Sequence, residues 1–141
     1  MPSSWLPDWA WGLPLLIITV VAHVFALLMT ARLLRSDVAV TTTTRFVFFV
    51  AIAALAASVY LALDASAWAL LYIALGAVAN WQVAMLYSLG AITSYGHATV
   101  FLEDRWQLLG AIEAVNGMIL FGLTTAFLFA AIERAWPLRR V

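Results

Sequence analysis

Cysteine and lysine are both absent from this chain, and charged residues of every kind make up only 10% of it. The first absence excludes disulfides, thiolate metal sites and cysteine nucleophiles, and leaves the redox compartment undetermined. The low charge excludes a soluble globular surface, which draws about a quarter of its residues from Asp, Glu, Lys and Arg. Also missing are a glycine-rich phosphate loop, a carboxylate–histidine cluster at metal-ligand spacing, a recognisable Ser-His-Asp spacing, and any basic patch that would grip nucleic acid. No enzyme, no resident cofactor and no nucleic-acid partner are therefore expected. What is present is hydrophobic: 66% of the 141 residues, with a mean hydropathy of +1.03. The expected solvent is a lipid bilayer, and the expected fold class is an all-α integral membrane protein.

Between Trp9 and Ala31, between Phe46 and Leu63, and between Ala114 and Ile132 there is no charge, and Ala65 to Leu102 contains only His97 as a group that ionises near neutral pH. A spanning helix needs about 20 mostly apolar residues, which predicts helices near 12–34, 45–78 and 105–135. The second segment would reach roughly 50 Å at 1.5 Å per residue, so it must tilt, project or break, and Asp64-Ala65-Ser66 is the expected place for a break. A true turn there would raise three crossings to four. Thr41 to Thr44 offer N-cap hydroxyls to the second helix, and Pro137 closes the third.

The arginines set the expected orientation. Arg32, Arg35 and Arg45 bracket the first connection and Arg134, Arg139 and Arg140 crowd the C-terminus, which assigns both to the cytoplasm. The N-terminus, with Trp5, Asp8, Trp9 and Trp11 as interfacial anchors, then lies outside a cell membrane crossed three times. The first eleven residues lack the basic start of a signal peptide, so the first helix is expected to be retained.

Between the second and third spans lies a small-residue polar run, Leu86 to His97, whose pattern predicts a short re-entrant helix near Asn80–Ile92 followed by an extended loop. Irregular backbone at membrane depth is tolerated only against protein or along a water-filled path, which makes this loop a candidate ion pathway. The segments Trp68-Ala69-Leu70-Leu71-Tyr72, Ala84-Met85-Leu86-Tyr87-Ser88 and Arg105-Trp106-Gln107-Leu108-Leu109-Gly110-Ala111-Ile112-Glu113-Ala114-Val115-Asn116-Gly117 resemble the outer helix, the pore helix and the start of the inner helix of the small bacterial potassium-channel-like pore-domain family. The resemblance implies a pore domain over 45–141, with outer helix 45–78, pore helix and loop 80–104 and inner helix 105–135. Residues 1–44 would then add one helix and a cytoplasmic turn. It also implies a tetramer and a monovalent cation as the passing species.

In the family pattern the filter reads Thr-Thr-Val-Gly-Tyr-Gly-Asp; the matching run here is Ala91-Ile92-Thr93-Ser94-Tyr95-Gly96-His97. Ile92 replaces a hydroxyl, His97 replaces an acid, and Ser94 stands where glycine is expected, so a side chain would have to hold a conformation glycine favours. Weak or altered potassium selectivity is the corresponding expectation. His97 is open to two roles, a pH sensor at the mouth or a hydrogen-bond partner of a loop carbonyl or Glu103. Asp8, Glu103 and Asp104 against Arg105 leave a net charge of −2 on the proposed outer face, which would concentrate cations. Alternatively Glu103, Asp104 and Arg105 are a solvated turn, with Asp104 capping the third helix.

Away from the charged ends of the proposed spans, three residues that carry acid or imidazole groups fall inside them: His23, Asp64 and Glu113. Buried charge in hydrocarbon demands a partner. His23 and Asp64 come to similar depth and are expected to pair, either as structure or as part of a proton relay. Glu113 is expected to brace the loop by accepting from loop amides or Tyr95. Gly117 and Gly122 read either as hinge or as close-packing positions. Thr124 and Thr125 either line a cavity or return their hydroxyls to the helix backbone. Two functions follow from these observations: an oligomeric cation-conducting channel, or a channel-derived subunit that has lost conduction and serves a larger membrane complex.

Overall fold

The computed structural model describes residues 5–33, 43–96 and 100–135. Four α-helices make up nearly all of them: α1 (Leu6–Leu33), α2 (Thr43–Ala74), α3 (Trp81–Ile92) and α4 (Gln107–Ala135), the last entered through a single 3-10 turn, Asp104–Trp106. No strand occurs among the described residues. α1, α2 and α4 are long and apolar enough to cross a bilayer, which makes this a multi-pass membrane protein. Their outward residues are large and apolar, among them Ile17, Phe48, Leu55, Leu63 and Phe129. That is the surface hydrocarbon accepts without cost.

Two expectations from the sequence need correction, the start of α1 and the place of Asp8, and the open alternative of a break in α2 is decided against. α1 starts at Leu6 rather than near residue 12, and it carries Pro14 within its length. Asp8, expected as an interfacial anchor beside the tryptophans, is fully buried, while Trp5, Trp9 and Trp11 are exposed. α2 runs unbroken through Asp64-Ala65-Ser66. Ser66 returns its hydroxyl to the Ala62 carbonyl at 2.8 Å, and Asp64 spends its carboxylate on another helix. Neither side chain competes for the local backbone groups that a turn would need. Of the predicted hydroxyl caps, Thr41 and Thr42 lie outside the described residues, as does Pro137.

α2 stops where Gly76 takes φ +67° and the amides of Leu75, Gly76 and Ala77 fold back on the carbonyls of Leu71, Ile73 and Tyr72. A left-handed glycine just past the last turn satisfies the helix's final carbonyls. α3 then opens on Asn80, whose side chain accepts from the amides of Gln82 and Val83, a direct N-cap.

Side-chain partners fix the directions. α1 and α4 run parallel, since Asp8 meets Leu109, Thr19 meets Asn116 and His23 meets Thr124. α2 runs against both, with Tyr60 on Thr30 and Tyr72 on Glu113. α3 lies along the first part of α4 in parallel: Tyr87 at Gly110, Ser88 at Glu113, Ile92 at Gly117. The main apolar core fills the space around this short helix, built from Trp68, Tyr72, Tyr87, Ile92, Trp106 and Leu109.

Candidate functional site

Polar groups enter this bundle at four levels. Furthest along α1, His23 Nδ1 sits 2.7 Å from Asp64 Oδ2 on α2 and His23 Nε2 sits 2.9 Å from Thr124 Oγ1 on α4. An ionised Asp64 accepts from Nδ1; Nε2 accepts from the threonine hydroxyl in the neutral imidazole and donates to it in the imidazolium. The Tyr60 ring meets the imidazole edge-on with centroids 6.3 Å apart, and its hydroxyl lies 2.7 Å from Thr30 Oγ1. Three helices thus close on one imidazole. His23 and Asp64, expected to pair, lie together; Thr124 was not foreseen as the third member.

Glu113 occupies the second level. Tyr72 donates to its Oε2 at 2.5 Å, and Ser88 of α3 touches its Oε1 while also donating to the Ala65 carbonyl at 2.7 Å. The carboxyl therefore bolts α2, α3 and α4 together at one point. Loop amides and Tyr95 were the expected partners; the structure supplies Tyr72 and Ser88 instead. Tyr95 points outward and is 89% exposed. At the level of α3 the packing is aromatic, Tyr72 standing edge-on to Tyr87 with centroids 5.2 Å apart.

At the head of the bundle Asp8 Oδ1 accepts from the backbone amide of Leu109, and between these levels Asn116 Nδ2 donates to Thr19 Oγ1 at 2.8 Å. None of Asp8, Thr19, Ser88 or Asn116 was singled out from the sequence as a buried partner. A signal for α1 existed: Asp8, Gly12, Thr19, His23 and Thr30 recur at intervals of four and seven along an otherwise apolar helix, and all are buried. In a membrane such a stripe of small and polar residues faces protein, not lipid.

After Ile92 the chain makes a tight cap. Thr93 and Ser94 amides donate to the carbonyls of Leu89 and Ala91, and the Gly96 amide donates to Gly90. Ser94 holds φ +56° and Gly96 φ +85°. Thr93, Ser94, Tyr95 and Gly96 are all exposed, whereas Ile92 is buried. His97 lies outside the described residues. Glu103 pairs with Arg105 at 2.9 Å on an exposed surface, and Asp104 accepts from the Gln107 side chain at 3.0 Å. Asp8, not Asp104, supplies the buried carboxylate cap of α4.

The two glycines expected as hinge or packing positions differ. A Cβ on Gly117 would strike the Ile92 carbonyl, whereas a Cβ on Gly122 would meet nothing within 4 Å. Gly117 is thus the point of closest approach between α4 and the end of α3. Among the described residues no group of three His, Asp or Glu side chains is placed to hold a metal ion.

Comparison with models of known families, with curated proteins and with solved structures returned no match.

Proposed function

We propose that this chain is the subunit of an oligomeric, channel-like membrane protein that conducts monovalent cations with weak or altered potassium selectivity. One observation carries the proposal. α3 ends at Ile92 beside Gly117, ten residues or about 15 Å along α4, and exposed non-helical backbone follows at Thr93–Gly96. Hydrocarbon does not accept such backbone; protein or water must face it. On this reading α3 is a re-entrant pore helix, the turn at residues 93–96 borders the ion path, and α4 is the inner helix. Glu113 supports the turn from behind through Ser88. The exposed turn in a lone chain calls for further copies around it, four by the family resemblance. The arginine distribution supports an outer N-terminus and a cytoplasmic C-terminus in the cell membrane, with Glu103 and Asp104 at the outer mouth.

One feature favours the non-conducting alternative. The amides of Thr93, Ser94 and Gly96 bond back to α3, which makes this segment a helix cap rather than an extended ladder of free carbonyls. A subunit that only packs within a larger complex needs no more than that.

Flux from liposomes separates the two. Potassium, sodium and a large organic cation are compared for the unaltered chain and for a Tyr95→Ala, Gly96→Ala double variant. Cation flux that falls in the folded variant is the expected result. Folded, reconstituted protein that passes none of the three ions overturns conduction and leaves the packing role.

A further inference from the structure

Four buried side-chain atoms have no hydrogen-bond partner among the described residues: the donors Trp68 Nε1 and Trp106 Nε1, and the acceptors Asp8 Oδ2 and Asn116 Oδ1. Asp8 and Trp106 belong to the head of the bundle, where Asp8 caps the amide of Leu109, within a turn of Trp106. The other pair lies deeper. On α2, Trp68 is one turn from Tyr72, which faces Glu113 of α4, and one turn from Asp64, which faces His23 of α1. On α4, Asn116 comes within a turn of Glu113 and bonds to Thr19 of α1, one turn before His23. Counted from the Tyr72–Glu113 contact, Trp68 and Asn116 lie about 6 Å and about 4.5 Å along their antiparallel helices, in the same direction. They share a level, both face the space between α1, α2 and α4, and both are fully buried. The amide of Asn116 has one orientation there. Thr19 gives its hydrogen to the carbonyls of Leu15 and Leu16, so it can only accept from Nδ2, and Oδ1 is the atom left over.

A donor and an acceptor thus stand at one level without bonding to each other, and each costs free energy while unmet in a bundle surrounded by hydrocarbon. Whatever lies between them must accept from an indole N–H and donate to an amide oxygen. A metal cation fails the first requirement, an anion fails the second, and an apolar group fails both. A small hydroxylic molecule meets both. We propose that one buried water molecule bridges Trp68 Nε1 and Asn116 Oδ1, taking the indole hydrogen and giving one of its own to the amide oxygen. Two such partners are enough to hold a buried water. The bridge ties α2 to α4 between the Glu113 and His23 contacts. It lies within one chain and does not depend on conduction.

Nuclear magnetic resonance reads such a water directly. The full chain is labelled with nitrogen-15 on its indoles and held in deuterated detergent, and magnetisation transfer from water to each indole hydrogen is recorded in the rotating frame. Loss of one signal in Trp68→Phe assigns the Trp68 resonance. A water cross-peak at Trp68 Nε1–H is expected in the unaltered chain. Asn116→Leu, which removes the amide oxygen, is expected to abolish that cross-peak while the other indole signals are retained. Asn116→Val removes the same oxygen with less bulk, is expected to act alike, and serves if the leucine variant does not fold. A Trp68 signal with no water cross-peak in the unaltered chain overturns the bridge. So does a cross-peak that survives in a folded Asn116 variant, because its source then lies elsewhere than on the amide oxygen.

Discussion

Asp8 Oδ1 accepts the backbone amide of Leu109 at 2.9 Å, across 101 positions of sequence. The first turn of α1 thus caps the first turns of α4. Leu109 is buried, so its amide has no water to turn to, and an acceptor at a helix start satisfies a donor that the helix itself leaves open. The start of a helix is also the positive end of its dipole, which favours an acceptor there.

Replacing this cap is the first prediction. Asp8→Ala is expected to cost about 1–2 kcal/mol, the upper range for loss of a capping side chain, read as a lower unfolding midpoint in detergent. Asp8→Asn keeps an oxygen at the same place and is expected to lose less. Identical midpoints for all three proteins would remove the cap from the account.

Glu113 gives the second. Ser88 has one hydroxyl hydrogen and two acceptors beside it, the Ala65 carbonyl and Glu113 Oε1. A glutamine amide at 113 supplies a hydrogen of its own to Ser88 and still accepts from Tyr72. Glu113→Gln is therefore expected to keep the junction of α2, α3 and α4. Glu113→Leu strands the buried Tyr72 hydroxyl, at about 1–3 kcal/mol, and is expected to lose it. Size-exclusion profiles and thermal midpoints of the two variants decide the matter, and equal behaviour would contradict the bolt.

The glycines of α4 should respond in opposite directions. Gly117→Ala drives a methyl into the Ile92 backbone, where the neighbour cannot rotate away, so a loss of about 1–3 kcal/mol is expected. Gly122→Ala meets open space and gains helix propensity, up to about 1 kcal/mol. Paired unfolding curves check both signs at once.

A fourth test concerns the turn after α3. Ser94 holds a left-handed φ of +56°, a conformation that costs a residue with a side chain about 1 kcal/mol. Ser94→Gly is expected to raise stability by a fraction of that amount, since glycine also frees the unfolded chain. A fall in the unfolding midpoint would mean that the serine side chain holds the turn in place.

The bilayer class, three apolar spans and a short fourth helix near Asn80–Ile92 were legible because each depends on local runs of residues. The His23–Asp64 proximity was legible too, since opposite helix directions bring residues at equal depth together. Thr124 and Ser88 were not legible as partners: a hydroxyl in a helix satisfies itself on its own backbone by default, and only a neighbouring helix changes that. Asp64 looked like a break for the same reason, because its partner lies on another element.

By itself the sequence determined the solvent, the number of long apolar segments and the stripe of small and polar residues along α1, since burial of apolar surface and the length of a turn act within one segment. Tertiary structure alone decided which side chains answer the buried groups: Leu109 for Asp8, Tyr72 and Ser88 for Glu113, Thr124 for His23. Hydrogen bonds reach about 3 Å and are directional, so the partner depends on helix rotation and offset, which apolar packing between helices sets and no local pattern encodes.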